Sequence, residues 1–279
     1  LGYLDLGRPQ DALTLLERVQ TQGPGSLVQQ GWIAWLSNDP QLLEDPGEPR
    51  FTFPYRRETL PVLQWAVEEN NQWVWRYLLG LNYWALDQED EAGAQLAALG
   101  RELEFAPLFV ARGTLLRETQ GTDPRPDLRR AVQLEPETRI FHIILIQHLL
   151  ASGEWEAALT AADQAVSLFP ADFNLALLRS RALLQLGRPE EAVRILSGIH
   201  VLPSENARES HQLWEQAHVL AALQTLEEWK NDPAHEPGIL SPAEDHLLAA
   251  LDWPRSLGQG RPYEPEERMV RFLLGLTYL

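Results

Sequence analysis

The chain has 279 residues, a formal net charge of −17, 44% hydrophobic and 23% charged residues, and no cysteine. This excess of carboxylates disfavours a nucleic-acid partner and an anionic membrane surface, because both are bound through clustered Lys and Arg. Disulfides, thiolate nucleophiles and cysteine-ligated zinc are excluded, and no apolar run approaches the roughly 18 residues of a membrane span.

A short pattern recurs along the chain, in which a glycine is followed five positions later by an alanine. It is found at Gly7, Gly153 and Gly187, and the last two glycines are 34 positions apart. That spacing is the period of the tetratricopeptide repeat, a hairpin of two helices. Glycine suits the turn between the helices because it accepts a positive φ.

The clearest copy covers residues 139–172. Small or apolar side chains recur on its second helix, and Pro170 ends the unit because proline cannot continue a helix. Weaker copies lie at residues 87–92, where the glycine is missing, and at residues 130–136. The sequence therefore predicts an all-α fold, an α-α superhelix of roughly seven to eight helical hairpins at about 34 residues each.

We expect one tetratricopeptide-like solenoid over residues 1–279. Three proline- and glycine-rich segments interrupt the repeat, at residues 39–54, 231–242 and 253–265. The last of these is predicted to be extended. Because Leu1 begins inside a repeat pattern, we also expect that this chain is a fragment of a longer protein and that a preceding segment carried another domain.

Three groups of segments resemble one bacterial family over nearly the whole chain. The first group is residues 53–63, 73–79 and 105–109; the second is residues 201–207 with Trp214 and Ala217; the third is residues 253–263. The third is the most specific, because its order of Trp, Pro, Gly and Tyr is rare. Family members carry an N-terminal β-sandwich domain of unknown function and a C-terminal tetratricopeptide region, and this chain is similar to the latter.

The resemblance implies a context of sugar metabolism, since the β-sandwich domain is similar to carbohydrate-processing domains. It transfers no catalytic residue to this chain, because the candidate catalytic domain lies outside it. We therefore predict a protein that is not itself an enzyme and needs no cofactor. The sequence leaves the compartment open, with a slight preference for the cytoplasm.

One candidate surface is an unusually dense aromatic group at residues 73–84. It consists of Trp73, Trp75, Tyr77, Tyr83 and Trp84. If Gly80 is the small residue at which paired helices meet, then Tyr77, Leu81 and Trp84 point to the inner, concave face. Such rings could pack in the core, which is the usual role of large aromatics, or form a platform for a sugar or an apolar peptide.

The same logic predicts the concave face of the later repeats. The candidate partner-binding residues there are Ile140, Ile143, Gln147, Leu150, Asn174, Leu177, Arg181 and Gln185. Arg181 is suited to a carboxylate of a partner, although a salt bridge to a neighbouring repeat is an equal alternative.

His211, Glu215 and His218 are a weak candidate for a metal site. They follow one another at i, i+4 and i+7, and therefore share one face of a predicted helix. Imidazole and carboxylate are zinc ligands, but a solvated or half-buried helix face explains the spacing more simply, and we predict no metal.

These observations predict a scaffold for protein–protein or interdomain interactions. The concave face would bind a partner protein or the β-sandwich domain of the same polypeptide, because stacked hairpins present such a surface. The alternative is a carbohydrate-binding or accessory module of a sugar-processing protein, based on the aromatic group and the family resemblance.

Overall fold

In a computed structural model the structure describes residues 2–20, 26–203, 207–231 and 240–278. The chain divides into two compact units, Leu1–Glu135 and Pro136–Leu279. Within the described ranges the regular structure is entirely helical, so the predicted all-α class is confirmed. The prediction that the units form a single solenoid stays a prediction.

The first unit contains eight α-helices within its described residues. In chain order they are α1 (Gly2–Asp5), α2 (Pro9–Gln20), α3 (Leu27–Ser37), α4 (Leu60–Glu69), α5 (Trp73–Ala85), α6 (Glu89–Ala97), α7 (Ala106–Gln120) and α8 (Arg125–Leu134).

The second unit contains seven within its described residues. They are α9 (Arg139–Ala151), α10 (Trp155–Leu168), α11 (Phe173–Gln185), α12 (Pro189–Gly198), α13 (Ala207–Asn231), α14 (Ser241–Ala250) and α15 (Arg268–Leu276). Within each unit, helices that follow one another in the chain pack together, most extensively α5–α6 and α7–α8 in the first unit and α13–α14 and α10–α11 in the second. Counted in chain order, the described helices make four pairs in the first unit and three pairs with a final helix in the second, which agrees with the predicted number of hairpins.

The turns that follow α1, α5, α7, α9 and α11 share one backbone feature, a residue with positive φ. Gly153 and Gly187 have φ of 75° and 68°, which confirms the role predicted for the repeated glycine. Asp87 takes the same conformation, with φ of 57°, in the copy that lacks the glycine. Asp tolerates this conformation better than most residues, because its short side chain can bond locally.

Small residues let the paired helices approach closely. A Cβ on Gly80 of α5 would lie 2.8 Å from Cδ2 of Leu96 on α6, and Leu96 is fully buried. On α10 the small side chains of Ala158, Ala162 and Ala165 are likewise fully buried. The spacing of small residues therefore sets how close the two helices of a hairpin can come.

The irregular segments differ in detail. Residues 39–54 contain a 3-10 helix, Pro40–Leu43, and otherwise carry neither helix nor strand. Of the predicted segment 231–242, residues 232–239 lie outside the described residues. The segment 253–265 is not simply extended as expected, because Arg255–Leu257 form a 3-10 helix whose last side chain, Leu257, is buried. Within the described ranges no α-helix combines the length and apolar character that a bilayer crossing requires.

A buried ion pair joins α7 to α8. Arg112 donates from Nε and Nη2 to the two carboxylate oxygens of Asp127, each at 2.7 Å, and from Nη1 to the carbonyl of Leu99 at 2.6 Å. The Arg112 guanidinium also lies 5.0 Å from the ring centre of Phe109. Because the cation is buried, its partners are needed to offset the loss of hydration.

Two glycines in helices test the close-approach argument. We expect the free energy of unfolding of Gly80→Ala to be lower than that of Gly275→Ala by about 1–3 kcal/mol. Both changes replace a helical glycine by alanine, but only the new methyl at position 80 meets a buried side chain, since nothing lies within 4 Å of a Cβ at position 275. Urea denaturation of the two variants measures the difference, and equal stabilities would refute the constraint.

The ion pair predicts a second effect on stability. Asp127→Ala is expected to cost about 3–5 kcal/mol, because it leaves the Arg112 cation buried without its counter-ion. Asp11→Ala, which breaks an exposed pair with Arg8, serves as the control and should cost less than about 1 kcal/mol. Denaturant titration checks both values, and similar small losses would show that Arg112 is not buried as described.

Candidate binding groove

A groove of about 270 Å³ lies on the second unit, between the first helices of two hairpins and the start of α13. Ile143 and Leu177 supply an apolar floor, and Gln147 and Asn174 supply amides. The side chains that line it come from three helices and are Arg139, Ile143, Gln147, Asn174, Leu177, Leu178, Arg181 and Glu209.

Both arginines of the groove are held by carboxylates. Arg139 donates to Asp172 at 2.8 Å, and Asp172 also caps α11 by accepting from the backbone N–H of Leu175 at 3.0 Å. Arg181 donates to Glu209 at the start of α13. Of the two roles considered for Arg181, the structure shows the salt bridge to a neighbouring helix.

Five residues of the predicted concave face meet in this groove: Ile143, Gln147, Asn174, Leu177 and Arg181. Gln185 is exposed but is not among the lining residues. Besides Leu178, sequence reasoning missed the two charged residues Arg139 and Glu209. The first stands at the start of the best repeat copy, so the repeat register could have found it. The second follows the irregular segment after α12, where the register is lost.

The aromatic group on α5 mostly belongs to the core of the first unit. Trp75 is fully buried and donates from Nε1 to the carbonyl of Leu43 at 3.0 Å. Tyr77, predicted on the concave face, is also buried, because its ring packs edge-on against Phe105 at 5.4 Å. Burial raises the pKa of Tyr77 to about 12.

The structure therefore corrects the assignment of Tyr77 from partner surface to core. Leu81 and Trp84, the other two predicted residues of this helix, are half-buried against the same core. The alternative of core packing explains most of the aromatic density, and the sugar platform has no support from the described geometry.

The metal candidates are not brought together as ligands. His211 stacks on Trp253, with ring centres 3.4 Å apart, whereas His218 meets His246, with 2.9 Å between the two Nδ1 atoms. In the ranges that the structure describes, no three His, Asp or Glu side chains are arranged to hold a metal ion.

His218 is held neutral by its surroundings. Burial, and secondarily the nearby His246, lower the pKa of His218 to about 4. His246 in turn bonds through Nε2 to a carboxylate oxygen of Glu190 at 2.9 Å, so the three side chains link α12, α13 and α14. This is a structural network in the second unit.

Two of the segments singled out in the sequence, around Val201 and Leu257, meet in the second unit. The Val201 backbone N–H donates to the Ser256 carbonyl at 2.7 Å, and the Ser210 hydroxyl donates to the Leu257 carbonyl at 2.7 Å. At Gly258 φ is 74°, and a Cβ there would lie 2.7 Å from the carbonyl oxygen of Val201. These contacts hold residues 256–258 against Val201 and against Ser210 of α13. Ser204 to Asn206, in the second segment, lie outside the described residues.

The histidine network predicts that acid destabilises the fold. Unfolded His218 takes up a proton near pH 6.5 but folded His218 only near pH 4, so the unfolded state binds more protons between these values. Stability should fall as the pH falls through this window, and His218→Gln should reduce that fall. Thermal unfolding across the window tests this, with the exposed His200→Gln as control; identical profiles for both variants would contradict it.

Comparison with known proteins agrees with the repeat. The tetratricopeptide-repeat family matches residues 126–200. No curated protein matches the chain.

Three solved structures illustrate what this chain is similar to. MamA MSR-1 is 16% identical with a TM-score of 0.41, over 63% of this chain and 97% of that one. A tetratricopeptide repeat protein from Parabacteroides merdae ATCC 43184 is 15% identical with a TM-score of 0.40, and the match covers 100% of this chain and 95% of that one. The TPR2AB domain of yeast Sti1, described in a complex with pHSP90, is 12% identical with a TM-score of 0.30, and the match covers 100% of this chain and 95% of that one. TM-scores this low carry no conclusion about this chain.

Proposed function

Because residues 126–200 form a tetratricopeptide-repeat region, we propose that this chain is an interaction scaffold whose groove on the second unit binds a segment of a protein partner. The repeat class supports the general role, since stacked helical hairpins offer concave binding surfaces. The single observation that carries the specific proposal is the convergence of five predicted concave-face residues in one groove.

The size of the groove favours a polypeptide over a small-molecule ligand. Its volume of about 270 Å³ lies below the roughly 300–1,000 Å³ of typical small-molecule pockets. A space of this size accommodates one or two side chains of a larger partner. The apolar floor of Ile143 and Leu177 would bury an apolar side chain, and the amides of Gln147 and Asn174 suit the partner's peptide groups.

The charge of the groove also suits a protein partner. The chain as a whole carries −17, but the groove is locally balanced, because Arg139 and Arg181 stand beside Asp172 and Glu209. A balanced surface does not repel an ordinary polypeptide. One specific partner, implied by the family resemblance, is a β-sandwich domain of the same polypeptide.

The proposal predicts a variant that loses its partner while keeping its fold. Gln147→Arg combined with Asn174→Arg is expected to block the groove with two long cations and reduce partner binding at least tenfold, or about 1.4 kcal/mol. Gln164→Arg on the exposed face of α10 is the matched control. Affinity purification from the source cell with quantitative mass spectrometry, followed by titration of the recovered partner, measures the effect.

The same experiment is applied to a chain joined to a β-sandwich domain, if the source gene encodes one. Docking of that domain in the wild type and in Gln164→Arg, but not in the groove variant, would identify it as the partner. Recovery of the same proteins at the same level with the groove variant as with the control would refute the groove as the binding site.

A further inference from the structure

Three aromatic side chains stand exposed on the first unit, in the segment before α4. Phe51, Phe53 and Tyr55 are 87%, 69% and 65% exposed, whereas Thr52 between them is half-buried and Pro54 is buried. This alternation turns the three rings outward together. We call Phe51, Phe53 and Tyr55 the aromatic ridge. Rings of this size seldom stay in water without a partner surface, because each can bury a large apolar area.

An apolar pocket of about 180 Å³ lies in the same unit. Leu15 and Leu16 of α2 and Trp32 and Leu36 of α3 supply much of its wall. We call this the Trp32 pocket. An engineered apolar cavity of about 150 Å³ in another protein takes up one benzene molecule. The Trp32 pocket therefore has the size and chemistry to receive one aromatic ring.

The ridge and the pocket lie side by side. Arg56 lines the pocket, and its guanidinium carbon lies 5.6 Å from the ring centre of Tyr55. The Tyr55 ring is thus held beside the pocket by a cation–π contact. One face of the first unit carries both protruding rings and a space that takes one ring.

We propose that this face binds a second copy of the chain, with Phe53 of each copy entering the Trp32 pocket of the other. A two-fold interface requires a patch that complements itself, in which residue i contacts j and j contacts i. A protruding ring next to a pocket of ring size meets that requirement, whereas a flat apolar patch does not.

Charge and area support this occupant. Two chains that each carry −17 repel one another over most of their surfaces. Arg56, Arg57 and Glu58 stand together at the edge of this patch, so this edge lacks the negative excess of the chain as a whole, and two copies meet here with less repulsion. The ridge alone would bury roughly 400 Å² per copy, about half of the roughly 800 Å² per partner of a stable interface. Leu15 and Val19, exposed one turn apart on α2, extend the apolar area.

The test is the mass of the 279-residue chain by sedimentation velocity over a range of concentrations. We expect a reversible dimer. Phe53→Ser and Leu15→Glu should each weaken it at least roughly 30-fold, the loss typical of a central contact residue. Phe272→Ser on α15 is the matched control, because Phe272 is also a phenylalanine and is 67% exposed, and it should leave the dimer unchanged. Circular dichroism confirms that each variant is folded.

Mixing the two weakened variants tests the pairing itself. Phe53→Ser keeps an intact pocket and Leu15→Glu keeps an intact ridge, so the mixture should form a heterodimer with one intact contact, more readily than either variant alone forms a homodimer. A chain that stays monomeric at every concentration, a dimer unaffected by Phe53→Ser, or a dimer lost in Phe272→Ser would each overturn the proposal.

Discussion

The close approach of paired helices at small residues is the constraint on which the rest of the structure depends. Gly80 faces Leu96 with no room for a methyl group, and a Cβ on Gly113 of α7 would lie 3.3 Å from the Cβ of Asp127 on α8. Each approach is possible only because the intervening turn reverses the chain in few residues. A positive φ makes that reversal short, whether glycine or Asp87 supplies it.

Helix pairs of this kind bury one face against each other and must bury a second face against the next pair. In the first unit α5 buries these faces with large aromatic side chains, and Trp75 and Tyr77 are part of the core. In the second unit Ile143 of α9 and Leu177 of α11 line a groove that remains open between the two helices. The same repeat therefore makes a filled core in one unit and an open groove, which we propose as the binding surface, in the other.

Much of the hairpin architecture was predictable from the sequence, because the repeat is a local signal. The glycine turns, the small residues of α10 and the inner positions of α9 and α11 all follow from the 34-residue spacing. The position of Tyr77 was predicted wrongly, since periodicity gives the direction of a side chain but not what packs on it. Phe105, more than twenty residues later, buries that ring.

The contacts that cross between distant segments were not predictable. Glu209 reaches Arg181 after an irregular stretch that breaks the repeat, and the loop after α14 bonds to Val201 through backbone atoms that no side-chain pattern reveals. The Trp32 pocket likewise needs α2, α3 and the segment before α4 in place before it exists. Repeat periodicity determines the hairpins, while the sites depend on tertiary contacts between them.

Hydrogen–deuterium exchange of the chain with and without its bound partner tests the central claim most directly. If the first helices of the hairpins form the binding face, then the partner should slow exchange in α9, α11 and the start of α13 and leave α10 and α12 unchanged. Protection confined to α10 and α12, with none in the groove helices, would contradict the account.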